Sequence, residues 1–408
     1  MAGRAGVIVT GSTSTHPPAG EAPVANVLML GTAEWDSPIA TNQHYVAREL
    51  ARTANVTFVE SLGLRRPTLR RDDVVRMASR VRRALGDQEL PAQRPRPAGT
   101  RIVSPLVLPV HRTPTYPVNR ALLRRATGDW LRSARPRVLW TFTPVTYGLE
   151  EAADLVIYHC VDLLATFPGV DAVAVGRGER SLSTRTAVAV ATSAAVREHL
   201  AAVGFPRVEL LPNVADVSVF TAASRPAAQR RPDVLFSGNL TVHKLDLRLL
   251  ESIATAVRGR GELLLAGPLA AGGGSFDAEL RHLEALGARH LGVLSPDQLA
   301  EVAGACAVGV IPYAINDYTR GVSPLKCYEY LSSGLAVLSS PLPAVVELAR
   351  ANPHVTVDDA HDLPAHLPGL LQPVTDTVVD ARIASAAEHG WEGRGALLRD
   401  LLRTEVAP

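Results

Sequence analysis

The chain has 408 residues, enough for two or three domains with sizeable cores. Its 47% hydrophobic and 20% charged content is that of an ordinary globular protein, and a net charge of +2 supplies no field for nucleic acid or a membrane surface. Cys160, Cys306 and Cys327 are scattered, without paired zinc or redox spacing, and suit a reducing cytoplasm; no apolar run reaches the ~18 residues of a membrane span.

Residues 1–25 carry a short apolar patch and then Gly, Ser, Thr and Pro, and read as a disordered tail. The first strand is Asn26–Leu30 (NVLML), closed by Gly31 and a loop over 32–42. A helix over 43–52 and a strand over 56–59 complete the opening of a doubly wound α/β domain. A G-x-G-x-x-G fingerprint is missing, so a dinucleotide is not expected. Ligands of such sheets sit beyond the carboxyl ends of the strands, which makes Gly31, Trp35, Asp36 and His44 candidates for a cleft wall. Trp35 reads equally well as a loop anchor packed on the core.

An Arg-rich helix over 72–86, a proline-rich loop over 88–99, strand signals over 101–110 and a helix over 119–134 follow. Residues 138–142 and 155–158 are buried strands, the second ending in His159, Cys160, Val161 and Asp162. A histidine at a strand's carboxyl end, with a carboxylate three residues on, belongs where binding or chemistry happens; the bland alternative is a core histidine. A helix over 177–186, a strand over 187–191, the helix Ala194–Val203 and a strand over 208–211 lead into a polar link. The composition of 222–232 (AASRPAAQRRP) is that of a linker and places a boundary near 215–225. The expected organisation is therefore 26–218 and 219–380 as two domains, with 381–408 as closing helices.

The second half starts the pattern again. A strand over 233–237, a Gly238–Asn239 turn, a helix over 245–257 and a strand over 262–266 capped by Gly267 open it. The glycine-rich loop 270–275 reads as flexible rather than phosphate-binding. A helix to 286, a strand over 291–294 and the helix Pro296–Ala305 lead to a strand over 307–313. Then comes the stretch 323–341, SPLKCYEYLSSGLAVLSSP: Ser323 as N-cap, Pro324 at the first position, a helix to 333, a Gly334 stop and a strand over 335–339. The tail predicts helices over 380–387 and 391–403.

Lys326 falls in the first turn of that helix, where stability alone favours Asp or Glu. A cation beside free backbone N–H groups makes a place for an anion, most naturally a phosphate, and Glu329 on the same face suits sugar hydroxyls. The bland reading is a surface Lys326–Glu329 pair. Composition argues against it, because Lys244 and Lys326 are the only lysines among 42 basic residues. A compact ammonium is not interchangeable with a planar guanidinium. Lys244 lies in the loop after the first strand of this half, so both ammonium groups are expected at one carboxyl edge, as a pyrophosphate clamp.

Two Rossmann-like halves with a sugar-and-phosphate site on the second resemble the GT-B glycosyltransferases: two doubly wound parallel-sheet α/β domains facing across a cleft. The match is closest to the retaining GT4-like branch in its teichuronic-acid-glycosyltransferase-type subgroup. It is carried by GTAEWDSPIATNQHYVARELA, LWTFTPV, IYHCVD, ATSAAVREHL, LPNVADVSVF, FSGNLTVHKLDL, VIPY, SPLKCYEYLSSGLAVLSSP and HGWEGRGALL. The resemblance implies an enzyme that moves a sugar from a nucleotide-diphosphate donor without metal or separate cofactor, and a cytoplasmic bacterial protein, monomer or homodimer, is expected. The lack of a basic amphipathic docking helix favours a small-molecule acceptor, such as an aminocyclitol or a nucleoside. Lys244 and Lys326 would contact the diphosphate, with Gly31, Gly238, Asn239, His243, Gly267, Leu294, Ser323, Pro324 and Leu325 around the donor and Glu329 on its ribose. His159 and Asp162 would position donor sugar or acceptor, alongside Trp35, Asp36 and His44. The glutamate that addresses the donor sugar in this family would fall at Gly321 and is absent. Asn213 and Asp216 match the family's N-G-V-D linker, with Val214 in place of its glycine. Polysaccharide assembly and a non-catalytic, donor-binding partner subunit are the alternative roles; an epimerase or a phosphorylase on the same fold is the competing chemistry.

Overall fold

The structure, a computed structural model, describes residues 23–37, 39–63, 94–108, 111, 113–270 and 275–407. The expected helix over 72–86, residues 1–22 of the expected tail, residues 88–93 of the proline-rich loop and 271–274 of the glycine-rich loop lie outside the described residues.

Two parallel sheets organise the chain. The first has the order β3-β2-β1-β4-β5-β6-β7, from Asn26–Leu30 (β1), Asn55–Val59 (β2), Thr100–Val103 (β3), Arg137–Thr141 (β4), Leu155–Cys160 (β5), Val188–Ala191 (β6) and Val208–Leu210 (β7). The second has the order β10-β9-β8-β11-β12-β13, from Val234–Ser237 (β8), Leu263–Ala266 (β9), Ala288–His290 (β10), Val308–Ile311 (β11), Ala336–Ser339 (β12) and Val355–Val357 (β13). In each sheet the winding reverses once, between β1 and β4 and between β8 and β11. At such a point the loops leaving two neighbouring strands diverge to opposite faces and open a crevice.

Strands covered on both faces read as apolar runs, and β5 (LVIYHC) is buried at every position. Leu155 and Ile157 face a core shared with Met29, Phe58, Trp140 and Trp391; Val156, Tyr158 and Cys160 face the opposite core with Leu28, Leu30 and Leu200. The second half has one continuous core around Phe236, Ile253, Leu264 and Tyr330.

The chain passes between the halves twice, at 211–216 and 387–390, and the two crossings are joined: Ala215 N–H donates to the His389 carbonyl at 3.1 Å. The last helix, Trp391–Val406, lies on the helix Asn42–Leu50 of the first half. Trp391 stacks on Tyr45 at 4.8 Å, and Gly395 is needed because a Cβ there would stand 2.3 Å from Glu49 Oε2.

Several expected elements differ. Among the described residues the strand signals over 101–110 yield only β3, and the helix over 119–134 breaks into Tyr116–Ala126 and Gly128–Arg132. The strand expected over 291–294 lies earlier, at Ala288–His290, because the left-handed Gly287 turns the chain into register with Leu263–Leu265. The helix Pro343–Ala351 and β13 were not anticipated.

A half-buried histidine on a buried carboxylate gives the fold a pH dependence. Glu179, 3% exposed, accepts from Tyr158 Oη and lies 2.9 Å from His199 Nε2. The hydrogen bond to Glu179 holds the His199 pKa above its ordinary value. A raised folded-state pKa stabilises below the unfolded value of about 6.5, and that contribution is lost as pH rises through the folded value. The melting temperature is therefore expected to fall as pH rises above about 6.5, with a shallower slope in His199→Gln; identical slopes by calorimetry would refute the assignment.

Candidate functional site

The crevice of the second sheet is built by the loops leaving β8 and β11. The loop after β8 folds back on the other: Asp246 N–H donates to the Pro312 carbonyl at 2.9 Å, and Ala314 N–H to the Lys244 carbonyl at 3.0 Å. Leu245 and Tyr313 form an antiparallel bridge. This strap sets Lys244 beside Tyr313, with Nζ 4.6 Å from the ring centroid. Lys326 arrives from the other side. Its stem crosses Gly238, where a Cβ would stand 2.7 Å from Lys326 Cε, and where φ of +141° also favours glycine.

Tyr313 is 2% exposed, and burial pushes its pKa up; the Lys244 and Lys326 ammonium groups outweigh this and leave it lowered. Burial likewise opposes the charge on Lys326, yet Tyr313 and Glu329 hold its pKa raised. The only two lysines of the chain thus meet over one phenol, at the point where the topology opens a crevice.

The surrounding details correct the sequence reading. The helix is Lys326–Ser332, seven residues, and Ser323 does not cap it. Ser323 is buried against the link between the halves: its Oγ accepts from Asn213 N–H at 3.3 Å and its carbonyl from Asn213 Nδ2 at 2.9 Å. So short a helix contributes little field, and the positive charge rests on the two ammonium groups. Pro324 is buried and Leu325 half-buried. Glu329 is half-buried, its pKa raised by burial and by nearby Asp216 against the pull of Lys326. Asn239 is half-buried in the loop after Gly238, and Leu294 packs on the core of this half. His243 sits edge-on to Phe167 at 5.0 Å, with Nδ1 2.7 Å from the Thr241 hydroxyl. Gly267 meets Gly238 backbone to backbone: a Cβ on it would lie 2.0 Å from the Gly238 carbonyl oxygen.

On the first sheet the expected wall is largely core. Trp35 is 1% exposed and packs edge-on to Phe58 at 5.2 Å, the anchor of its loop. His44 is 4% exposed with both nitrogens in use: Nδ1 accepts from Thr41 N–H at 3.0 Å and Nε2 donates to the Glu34 carbonyl. Burial pulls its pKa down to about 4. Gly31 is buried for packing, since a Cβ would meet Gln43 Oε1 at 2.9 Å. Asp36 stays half-buried on the loop and accepts from Arg94 N–H at 3.4 Å. β5 runs two residues further than expected, pairing His159 with Val190, so His159 points into the sheet's core. It is 3% exposed and stacked on Phe142 at 4.7 Å. Asp162, past the strand end, is half-buried; burial raises its pKa and the charge of Lys244 opposes the rise. Asp162 is the first-half residue brought toward the lysines.

The two halves touch beside this crevice. Ser193 Oγ donates to the Gly321 carbonyl at 2.8 Å, and Leu163 covers Gly321 so closely that a Cβ there would stand 2.9 Å from Leu163 Cγ. Phe167 meets Tyr318 edge-on at 4.9 Å. Tyr313, Leu163 and Ser193 escaped sequence reasoning; only the VIPY motif carried a signal. Asp358, Asp359 and Asp362 form the one carboxylate trio among the described residues with ligand-like spacing, and it lies after the edge strand β13. Two of its oxygens are engaged: Asp359 Oδ1 accepts from His361 and Asp362 N–H, and Asp358 Oδ2 pairs with His366 at 2.8 Å.

Solved structures match this architecture along nearly its whole length. Sucrose-phosphate synthase from Thermosynechococcus elongatus superposes with a TM-score of 0.66 at 16% identity, covering 93% of this chain and 98% of that one. Anabaena HepE in complex with UDP gives 0.64 at 10%, covering 93% and 100%. A structure described as trehalose-6-phosphate from E. coli bound with UDP-2-fluoro glucose gives 0.62 at 9%, covering 93% and 99%.

The fold is GT-B. No family model matches the sequence, and no curated protein matches it. In this GT-B chain the lysine crevice of the second half faces the carboxyl-edge loops of the first. Among the described residues, no helix is long and apolar enough to cross a membrane.

Proposed function

We propose that the protein is a retaining, GT4-like glycosyltransferase. It transfers a sugar from a nucleotide-diphosphate donor in the second-half crevice to a small-molecule acceptor against the first half. The observation that carries this reading is the convergence of Lys244 and Lys326 on Tyr313 at the β8–β11 switch point. Cleavage at the anomeric carbon builds negative charge on the departing diphosphate. Two ammonium groups already held in place stabilise that charge without reorganisation. Glu329 holds ribose hydroxyls, and Asp162 positions the reacting sugar or the acceptor. Contact of the halves at Gly321 and Leu163 keeps water from the broken bond. HepE structures are described with UDP and with UDP-glucose, which supports the same donor class here.

A melting-temperature panel of UDP-, GDP-, ADP- and dTDP-sugars tests the reading. One nucleotide is expected to raise the melting point, by about 2.7 kcal/mol of stabilisation at a hundredfold excess over Kd. That rise should vanish in the Lys244→Ala/Lys326→Ala variant. Acceptor-dependent release of nucleoside diphosphate then separates transfer from epimerisation, phosphorolysis or mere binding. No rise with any donor would defeat the proposal.

A further inference from the structure

The two halves meet in an ordered row of contacts. The loops leaving β7, β6 and β5, three neighbouring parallel strands, emerge at one edge of the first sheet. In that order they meet the segment 318–323 of the second half. After β7, Asn213 Nδ2 donates to the Ser323 carbonyl at 2.9 Å. After β6, Ser193 Oγ donates to the Gly321 carbonyl at 2.8 Å. After β5, Leu163 covers Gly321 and Phe167 reaches Tyr318. Asn213 lies where the chain first crosses between the halves, and its Oδ1 accepts from Asn42 Nδ2 at 2.7 Å, so this end of the row is fixed to both.

Ser193 is the buried polar contact in the middle of the row. It is 5% exposed and caps the helix Ala194–Val203, where its Oγ accepts from Val196 N–H at 3.2 Å. A cap needs only that acceptor. The one hydroxyl proton is left over, and it goes to the other half. The neighbouring Thr192 Oγ1 donates to the Val161 carbonyl at 2.6 Å, which ties the Ser193 loop to the loop that carries Asp162 and Leu163. A grip on Gly321 is thereby passed along to Asp162.

We infer that Ser193 latches the two halves together and so acts as a positioning residue, holding Asp162 toward the lysine crevice. The inference rests on the proposed transfer reaction for the role of Asp162, but the latch itself is tested without donor or acceptor. Opening pivots at the joined crossings, where Asn213 and the Ala215–His389 hydrogen bond hold, and parts the row from Phe167 inward. While the latch is made, the loop after β5 is drawn in with it through Thr192. Once it breaks, Asp162 and Leu163 withdraw together.

The three native cysteines are buried, so Val173→Cys and Arg281→Cys, at one exposed site in each half, take spin labels selectively. The labelled full chain is expected to give one short distance. Glycine is tolerated at an N-cap, so Ser193→Gly removes the latch with little effect on its helix. It should add a second, longer distance, the closed-to-open ratio falling about tenfold. Ser193→Asp caps as well as serine but has no proton for Gly321, and should open the halves too. A residue that served only its helix would leave Ser193→Asp like the native protein. A long distance alone in the native chain, no change in Ser193→Gly, or a native distance in Ser193→Asp overturns the latch and leaves the donor panel's outcome untouched. With the donor known, Ser193→Gly should lower kcat about tenfold and keep the nucleotide Kd within about twofold of native. Lys244, Tyr313 and Lys326 all belong to the second half and stay together when the halves part. A loss of nucleotide binding in place of kcat would put the damage in the crevice and overturn the positioning role.

Discussion

Lys326→Ala is expected to lower turnover about 100-fold or more while the melting temperature barely moves. A charge-assisted hydrogen bond contributes roughly 1.5–3 kcal/mol, and each 1.4 kcal/mol is tenfold in rate when the bond strengthens at the transition state. Lys326 is placed for that. Its ammonium shares Tyr313 with Lys244 in the free protein, and diphosphate would draw both from the phenol. Lys244→Ala should match it in direction, and the double variant should fall short of the product of the two, because the cations act on one leaving group. Lys326→Arg is not a rescue. The stem runs over Gly238 with no space to spare, and a guanidinium is broader than an ammonium. A second signature is spectroscopic. The ammonium groups hold the Tyr313 pKa below its ordinary value, so removing either should let it climb, read as tyrosinate absorbance against pH. Undiminished transfer in Lys326→Ala, with an unshifted tyrosine titration, would remove the basis of the proposed function.

Much of this was legible in the sequence for identifiable reasons. Buried parallel strands announce themselves as apolar runs between glycines, so β1 and the helices Ala194–Val203 and Pro296–Ala305 have the bounds expected for them. The lysines stood out because so many arginines fill every other basic position. What failed to show was set by pairing between distant strands. β5 extends through His159 because β6 continues beside it, and a histidine in an apolar strand gives no local sign of that. His44 looks like a cleft residue until its two nitrogens are seen closing a helix end and holding Glu34. Tyr313 reads as the last residue of a strand; only the folded-back loop after β8 reveals it as the floor beneath two cations. Gly395 likewise gave no local sign of its role, which shows only against Glu49.

Gly321→Glu is expected to damage the proposed transfer, although the resemblance implies a glutamate at this position. The space a side chain would need is taken. Leu163, from the loop after β5 of the other half, stands where even a Cβ would come within 2.9 Å of Cγ and 3.0 Å of Cδ1. Ser193 Oγ meanwhile grips the Gly321 carbonyl at 2.8 Å in a buried contact. A glutamate here must push Leu163 away and part the halves, or bury a carboxylate against a leucine. Overpacking costs about 1–3 kcal/mol, and an unpaired buried carboxylate adds to it. Because the strain falls on the contact between the halves rather than within either core, the expected loss is in turnover, tenfold or more, with a smaller change in melting temperature. Leu163→Ala opens the space, so the pair Gly321→Glu/Leu163→Ala should recover activity that Gly321→Glu alone loses, a coupling measurable in a double-mutant cycle. Simple loss of a useful carboxylate predicts the reverse, a gain in Gly321→Glu without any change at Leu163. In the coupled outcome the two positions act as one device: the leucine of the first half closes over the glycine of the second, and the donor sugar of the proposed reaction would meet an apolar wall where the resemblance would place a charge.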